Sequence, residues 1–141
     1  MREVIPGLLW VGNAFNACNV KDVLEREIAA VIDLAIEEPP ITVLPRELTY
    51  CRFPIIDGQG NSPVIIEAAV STTVRFVTGN VPTLISCSGG MSRSPAIAAA
   101  VVAQIESIEP EEAMKRIAAS GPHDVAPRLW SEVIAALRSL R

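Results

Sequence analysis

Short apolar runs alternate along this chain with longer stretches in which apolar positions recur every three or four residues. The runs at residues 8–11, 31–35, 50–56 and 83–86 have the length of strands, whereas residues 19–27 mix polar and apolar positions with a helical period. Residues 37–40, Glu-Glu-Pro-Pro, form a loop, and Asp57-Gly58-Gln59-Gly60-Asn61 is a run of turn formers. Ser62-Pro63 offers an N-cap and a first-turn proline for a helix to about residue 78, where Gly79-Asn80 supplies the stop. A further helix opens at Ser92 or Arg93 and runs to about residue 106, another opens at Pro110 to about residue 119, and the last opens at Pro127 and reaches residue 140. Strands that alternate with helices and are apolar on both faces predict an α/β fold, a central, mainly parallel sheet flanked by helices.

Composition narrows the chemistry. With 141 residues, half of them apolar, the chain can bury a core without disulfides or metal, and no repeat or long linker divides it, so one domain over residues 1–141 is expected. A net charge of −4 and a pI near 5.0 give no general attraction for nucleic acid or an anionic membrane; neither is expected as a partner, and any phosphate must be met by local arrangement. Cys18, Cys51 and Cys87 are an odd number without CxxC spacing, the first residues lack a secretory h-region, and the apolar stretches are broken well short of a membrane span. A soluble, cytoplasmic protein with free thiols is the expectation, Cys18 and Cys51 being buried structural thiols. The single histidine, His123, has no ligand cluster around it and reads as a surface residue in the turn 121–124; Trp10 and Trp130 read as core.

The candidate chemistry lies in "TLISCSGGMSRSPAIAAA", residues 83–100. A parallel strand that empties through a glycine turn into a helix puts that turn at the carboxyl edge of the sheet, where α/β ligand sites form. The helix beginning near Arg93 aims free N–H groups and the positive end of its dipole at the turn, which suits a dianion and favours thiolate over thiol at Cys87. Gly89 and Gly90 are expected to allow positive φ and close backbone approach within Cys87-Ser88-Gly89-Gly90-Met91-Ser92-Arg93. Arg93 brings a guanidinium fork for two phosphate oxygens.

"ISCSGGMSRSP" resembles the signature loop, HCxxGxxRS, of the cysteine-based protein tyrosine phosphatases, and its SRSP ending most resembles the dual-specificity phosphatases. "VIPGLLWVGNAFNA", "AAVIDLAIEEP" and "CRFPIIDGQGN" are similar to that family's first strand and turn, its second strand and loop, and the strand and loop of its general acid, in the same order. The resemblance implies a phosphotyrosine protein phosphatase-like fold and a phosphomonoester hydrolase that needs no metal or other cofactor. By position it makes Cys87 the nucleophile of a phosphocysteine intermediate. Arg93 and the N–H groups of Ser88, Gly89, Gly90, Met91, Ser92 and Arg93 become the phosphate-binding groups. Ser94 becomes the hydroxyl that bonds the sulfur, and Asp57 the general acid. The implied substrates are phosphorylated proteins or small aryl phosphomonoesters.

Two departures stand out. Ser86 replaces the family's histidine before the nucleophile and can donate a hydrogen bond but carries no charge. "RIAASGPHDVAP" lacks the arginine-proline pair usual in the late turn, which affects support of the loop only. The compact chain has little room for the insertions of tyrosine-only members, and the neutral residues 88–92 argue against phosphoinositides and RNA triphosphate ends. Glu37-Glu38 reads most simply as a solvated loop near the rim. Two alternatives remain beside the dual-specificity phosphatase: a pseudophosphatase that binds phosphate but turns over poorly because of Ser86, and a redox or arsenate-type thiol enzyme, which would need a resolving cysteine near Cys87.

Overall fold

The computed structural model describes residues 1–141. Five strands, β1 (Arg2–Ile5), β2 (Leu9–Asn13), β3 (Ala30–Ala35), β4 (Thr49–Ile55) and β5 (Thr83–Cys87), form one sheet in the order β1-β2-β5-β3-β4. β1 runs antiparallel to β2 and every other pairing is parallel. The last strand in sequence is therefore the middle one in space. Cys87 pairs with Asn13 of β2, and Ser86 with Asp33 of β3, so the thiol sits at the centre of the sheet's carboxyl edge.

Six helices cover the sheet: α1 (Ala14–Cys18), α2 (Val20–Glu25), α3 (Pro63–Thr78), α4 (Arg93–Glu106), α5 (Pro110–Ser120) and α6 (Pro127–Leu140). Because side chains alternate along a strand, the sheet has two cores. Leu9, Val11, Ile32, Leu34, Ile85 and Cys87 face α3, α4, α5 and α6, whereas Trp10, Val31 and Leu84 face Ala17 and Val23 of α1 and α2. Residues 93–103 of α4 are all buried. Its run of alanines lets β5, α3, α5 and α6 all pack closely around it, which fixes the helix that follows the signature loop. No helix is long and apolar enough to cross a membrane.

α3 and α6 have the expected bounds, and α4 and α5 end within one residue of them. Proline at the first turn of α3, α5 and α6 accounts for that sharpness, since its fixed φ and missing N–H suit only a helix start. Ser62 differs from its expected role: its carbonyl accepts from Ile65 and Ile66, but its side chain makes no cap hydrogen bond. The expected helix over 19–27 is shorter, and a separate turn of helix, α1, precedes it. Asn13 and Asn16 close a reciprocal capping box at the start of α1, and Asn19 caps α2 through Asp22 N–H. β1 was not apparent from the pattern because it is a four-residue edge strand with a charged start. Trp10 is buried and Trp130 packs at the margin of the larger core.

Candidate active site

The loop between β5 and α4 wraps around the Cys87 sulfur, which accepts hydrogen bonds from the N–H of Gly90 (3.2 Å) and of Ser94 (3.4 Å). Two donors on one sulfur stabilise negative charge there. Cys87 is 2% exposed and Arg93 3%. The N–H groups of Ser88, Gly89, Met91, Ser92 and Arg93 have no acceptor within the protein, so the loop presents a set of free donors of the kind that cradles an oxyanion. Only one of the two glycines is sterically required. Gly90 has φ +73° and a Cβ there would lie 2.9 Å from the Gly12 carbonyl carbon; Gly89 has an ordinary φ and open space around it. Ser94 also differs from expectation. Its hydroxyl donates to the Gly12 carbonyl at 3.3 Å, because the β2–β5 pairing brings that carbonyl against the first turn of α4, and Ser94 meets the sulfur through its backbone N–H.

Arg93 is held from two sides. Its Nη1 and Nη2 donate to Glu37 Oε1 and Oε2, both at 2.6 Å, and Nη1 also donates to the Ile55 carbonyl at 3.0 Å. Nε is buried without a partner. With the second N–H of Nη2, it is what the guanidinium has left for a ligand. Burial works to lower the Arg93 pKa, but the Glu37 carboxylate, with smaller contributions from Cys87 and Asp57, more than offsets it and raises the value. The Arg93 hydrogen bonds in turn hold the Glu37 carboxyl at about 2, against opposing burial. The Glu37-Glu38 loop is largely exposed, as expected, but its acids also have partners in the site: Glu37 clamps Arg93, and Glu38 accepts from the Ser88 hydroxyl at 3.0 Å.

Buried Asp33 fixes the segment that carries these two acids. It accepts from the Tyr50 hydroxyl and from Arg52, and Arg52 reaches on to the carbonyls of Ala35 and Glu38. Burial, followed by the bond to Asp33, raises the Tyr50 pKa.

Asp57 lies exposed on the loop after β4, with Oδ1 2.5 Å from the Ser92 hydroxyl that donates to it. The acid loop thus docks directly on the signature loop. Ser92 Oγ also accepts from Ala126 N–H at 3.0 Å, and Met91 O accepts from Asp124 N–H at 2.7 Å, so residues 121–126 brace the loop from the other side. Arg2 of β1 reaches the same turn, donating to Ser120 Oγ and packing against Gly121. The support expected from a late-turn arginine comes here from the opposite end of the chain. His123 is half-buried in this turn rather than on the surface.

Asn61 ties the acid loop to itself through Ile56 N–H, Ile56 O and Gly58 O, and Glu132 of α6 accepts from the N–H groups of Gly60 (2.6 Å) and Asn61. In the sequence Glu37 and Asn61 read only as a loop residue and a turn former, and Glu132 carried no signal, since their partners become neighbours only on folding.

All three cysteines are free. Cys18 is exposed, not buried, because only Ala17 of the short α1 faces the core. With Asp33 and Ser86 it lines a cavity of about 60 Å³ on the sheet face opposite Cys87. Cys51 is half-buried, which raises its thiol pKa. It pairs with Ile32, which pairs with Ile85, so two strand spacings of about 4.8 Å separate it from β5. A disulfide needs Cα atoms within about 7 Å, so Cys51 cannot reach Cys87 without backbone movement.

No protein-family model matches the chain. Among curated proteins, the dual specificity protein phosphatase Mpk3 of Drosophila melanogaster is 25% identical over 126 residues, 89% of this chain. The chain spans 30% of the length of that relative. By sequence and by fold, the chain resembles the dual-specificity phosphatases. The crystal structure of human DUSP28 superposes with a TM-score of 0.86 at 18% identity, covering 99% of this chain and 97% of that one. DUSP15 superposes at 0.77 and 19% identity, with 98% and 92% covered. The dual-specificity phosphatase fold thus extends over the whole chain.

Proposed function

We propose that this chain is a protein phosphatase of dual specificity, hydrolysing phosphomonoesters through a phosphocysteine intermediate. The observation that carries the reading is the loop itself: a sulfur holding two N–H bonds, five further N–H groups without acceptors, and Arg93 Nε buried without a partner. Free donors in a buried site are worth most toward an anion whose charge spreads over several oxygens, as in phosphoryl transfer.

In the first step the Cys87 thiolate attacks phosphorus, an S–P bond forms and the ester P–O bond breaks. Asp57, protonated, gives its proton to the departing oxygen. In the second step the Asp57 carboxylate takes a proton from water, whose oxygen attacks phosphorus. The S–P bond then breaks, releasing inorganic phosphate and restoring the thiolate and the protonated acid. The N–H groups of Ser88, Gly89, Met91, Ser92 and Arg93, with the Arg93 guanidinium, hold the phosphoryl oxygens in both steps. Asp57 reaches the site by the same loop that now rests on Ser92. The similarity to Mpk3 and the dual-specificity phosphatase fold support the reading. No step asks for a metal, since Arg93 and the loop donors supply the positive charge.

Ser86 favours a second reading, a phosphate-binding module with weak turnover, because a serine hydroxyl cannot carry the charge of the histidine that the resembled family has before its nucleophile. The pH profile of phosphate release from an aryl phosphate, in chelator, separates the two. The proposal expects turnover by the parent chain, none by Cys87→Ser, and loss of the acid-dependent limb in Asp57→Asn. A parent that binds vanadate but releases no phosphate would leave only the binding module.

A further inference from the structure

Four of the seven exposed large apolar side chains belong to the segments bonded to the loop around Cys87, or to that loop itself. Phe15, 76% exposed, follows Ala14, whose N–H donates to the Ser88 carbonyl. Exposed Ile36 precedes Glu37, the partner of Arg93. Ile56, also exposed, lies between Ile55, whose carbonyl accepts from Arg93, and Asp57, the partner of Ser92. Met91 belongs to the signature loop itself. Each is thus within one residue of a group bonded to that loop, and together they mark the carboxyl ends of β2, β3, β4 and β5 in turn. A protein gains nothing in folding by leaving Phe15 in water, and exposed apolar residues gathered at one site mark a contact surface.

The charges between these residues are acidic. Glu38 and Asp57 stand beside the loop without a cationic partner, whereas Glu37 is already paired with Arg93, Arg52 is held by Asp33 and Arg2 donates to Ser120. With nucleophile and arginine almost wholly buried, the phosphoryl group enters below this rim of apolar and acidic residues and its carrier rests on it. We infer that the rim selects a phosphorylated protein segment whose flanking residues are apolar and basic, and rejects acidic or multiply phosphorylated ones. Apolar neighbours cover Phe15, Ile36, Ile56 and Met91; basic neighbours meet the carboxylates, and acidic ones face like charge. An acyl chain would also suit the apolar residues, but an anionic bilayer surface opposes the acidic rim and a chain of net charge −4.

The inference rests on the cradle binding phosphate, and equilibrium binding tests it apart from turnover. Two fluorescent phosphotyrosyl peptides, one flanked by Leu, Ile and Lys and one by Asp and Glu, are titrated into the chain carrying Cys87→Ser, with phosphatidic acid vesicles as a third ligand. The apolar-basic peptide is expected to bind at least about tenfold tighter than the acidic one, and tighter than the vesicles. Phe15→Ser and Ile36→Ser, added singly, are each expected to weaken that peptide about threefold to tenfold while narrowing its advantage, with melting unchanged. Equal affinities, a preference for the acidic peptide or the vesicles, no binding of either peptide, or no effect of Phe15→Ser would overturn the inference. A retained preference in a chain that fails to turn over would remove the phosphatase reading and leave this one standing.

Discussion

At Gly90 one methyl group decides whether the cradle can form. A Cβ there meets the Gly12 backbone at 2.9 Å, and the φ of +73° is one that side chains rarely adopt. Gly90→Ala is expected to cost about 1–3 kcal/mol in stability and to lower phosphate release at least about tenfold, whereas Gly89→Ala leaves melting nearly unchanged. Denaturant melts and rates of the two variants side by side check it. Glu37 makes a prediction of another kind. Its carboxyl is depressed from 4.5 to about 2 by Arg93, so its contribution to stability is present above about 4.5 and is lost as pH falls toward 2. The gap in melting temperature between the parent and Glu37→Gln is expected to be level from pH 8 to 5 and to close below that. A gap that closes between pH 6 and 8 would contradict the clamp. Cys87 and Arg93 were legible because a strand end, a glycine turn and a helix start place them within one short segment. Glu37 was not, because its partner lies 56 residues away and nothing local distinguishes an acid in a solvated loop from one aimed at an arginine.

The loop that carries Asp57 shows how elements are coupled. It leaves β4, touches the signature loop at Ser92, and is gripped by Glu132 on α6 through the N–H groups of Gly60 and Asn61. Glu132 acts as a positioning residue. Glu132→Ala is expected to slow alkyl phosphates about tenfold while aryl phosphates with acidic leaving groups change little, because only poor leaving groups depend on a well-placed proton. An equal loss on both substrates would indicate a general loosening instead. At this scale the helices with proline at their first turn were readable, since proline specifies a start directly. β1 and α1 were not. β1 is short and lies at the edge of the sheet, and the Asn13–Asn16 box that begins α1 carries no apolar period.

Across the whole molecule, α4 joins the site to the core: it starts at Arg93, runs buried through residue 103, and packs among α3, α5 and α6. Ile97→Ala is expected to cost about 2–5 kcal/mol in a denaturant melt, because the surrounding elements cannot close the void. The alternating pattern was enough to predict a mainly parallel sheet covered by helices. It did not predict that β5 is central, a consequence of crossover connections that place the thiol between β2 and β3. That placement brings Asn13, Glu37, Asp57 and Arg93 to one edge. The measurement that tests the account most directly is acid-quenched mass spectrometry of the parent chain during turnover of an aryl phosphate. The account predicts a phosphoryl group on the peptide containing Cys87, more abundant in Asp57→Asn if its hydrolysis is slowed more than its formation, and none in Cys87→Ser. Phosphate release that continues in Cys87→Ser, or turnover with no phosphoryl group on that peptide in either the parent or Asp57→Asn, would contradict it.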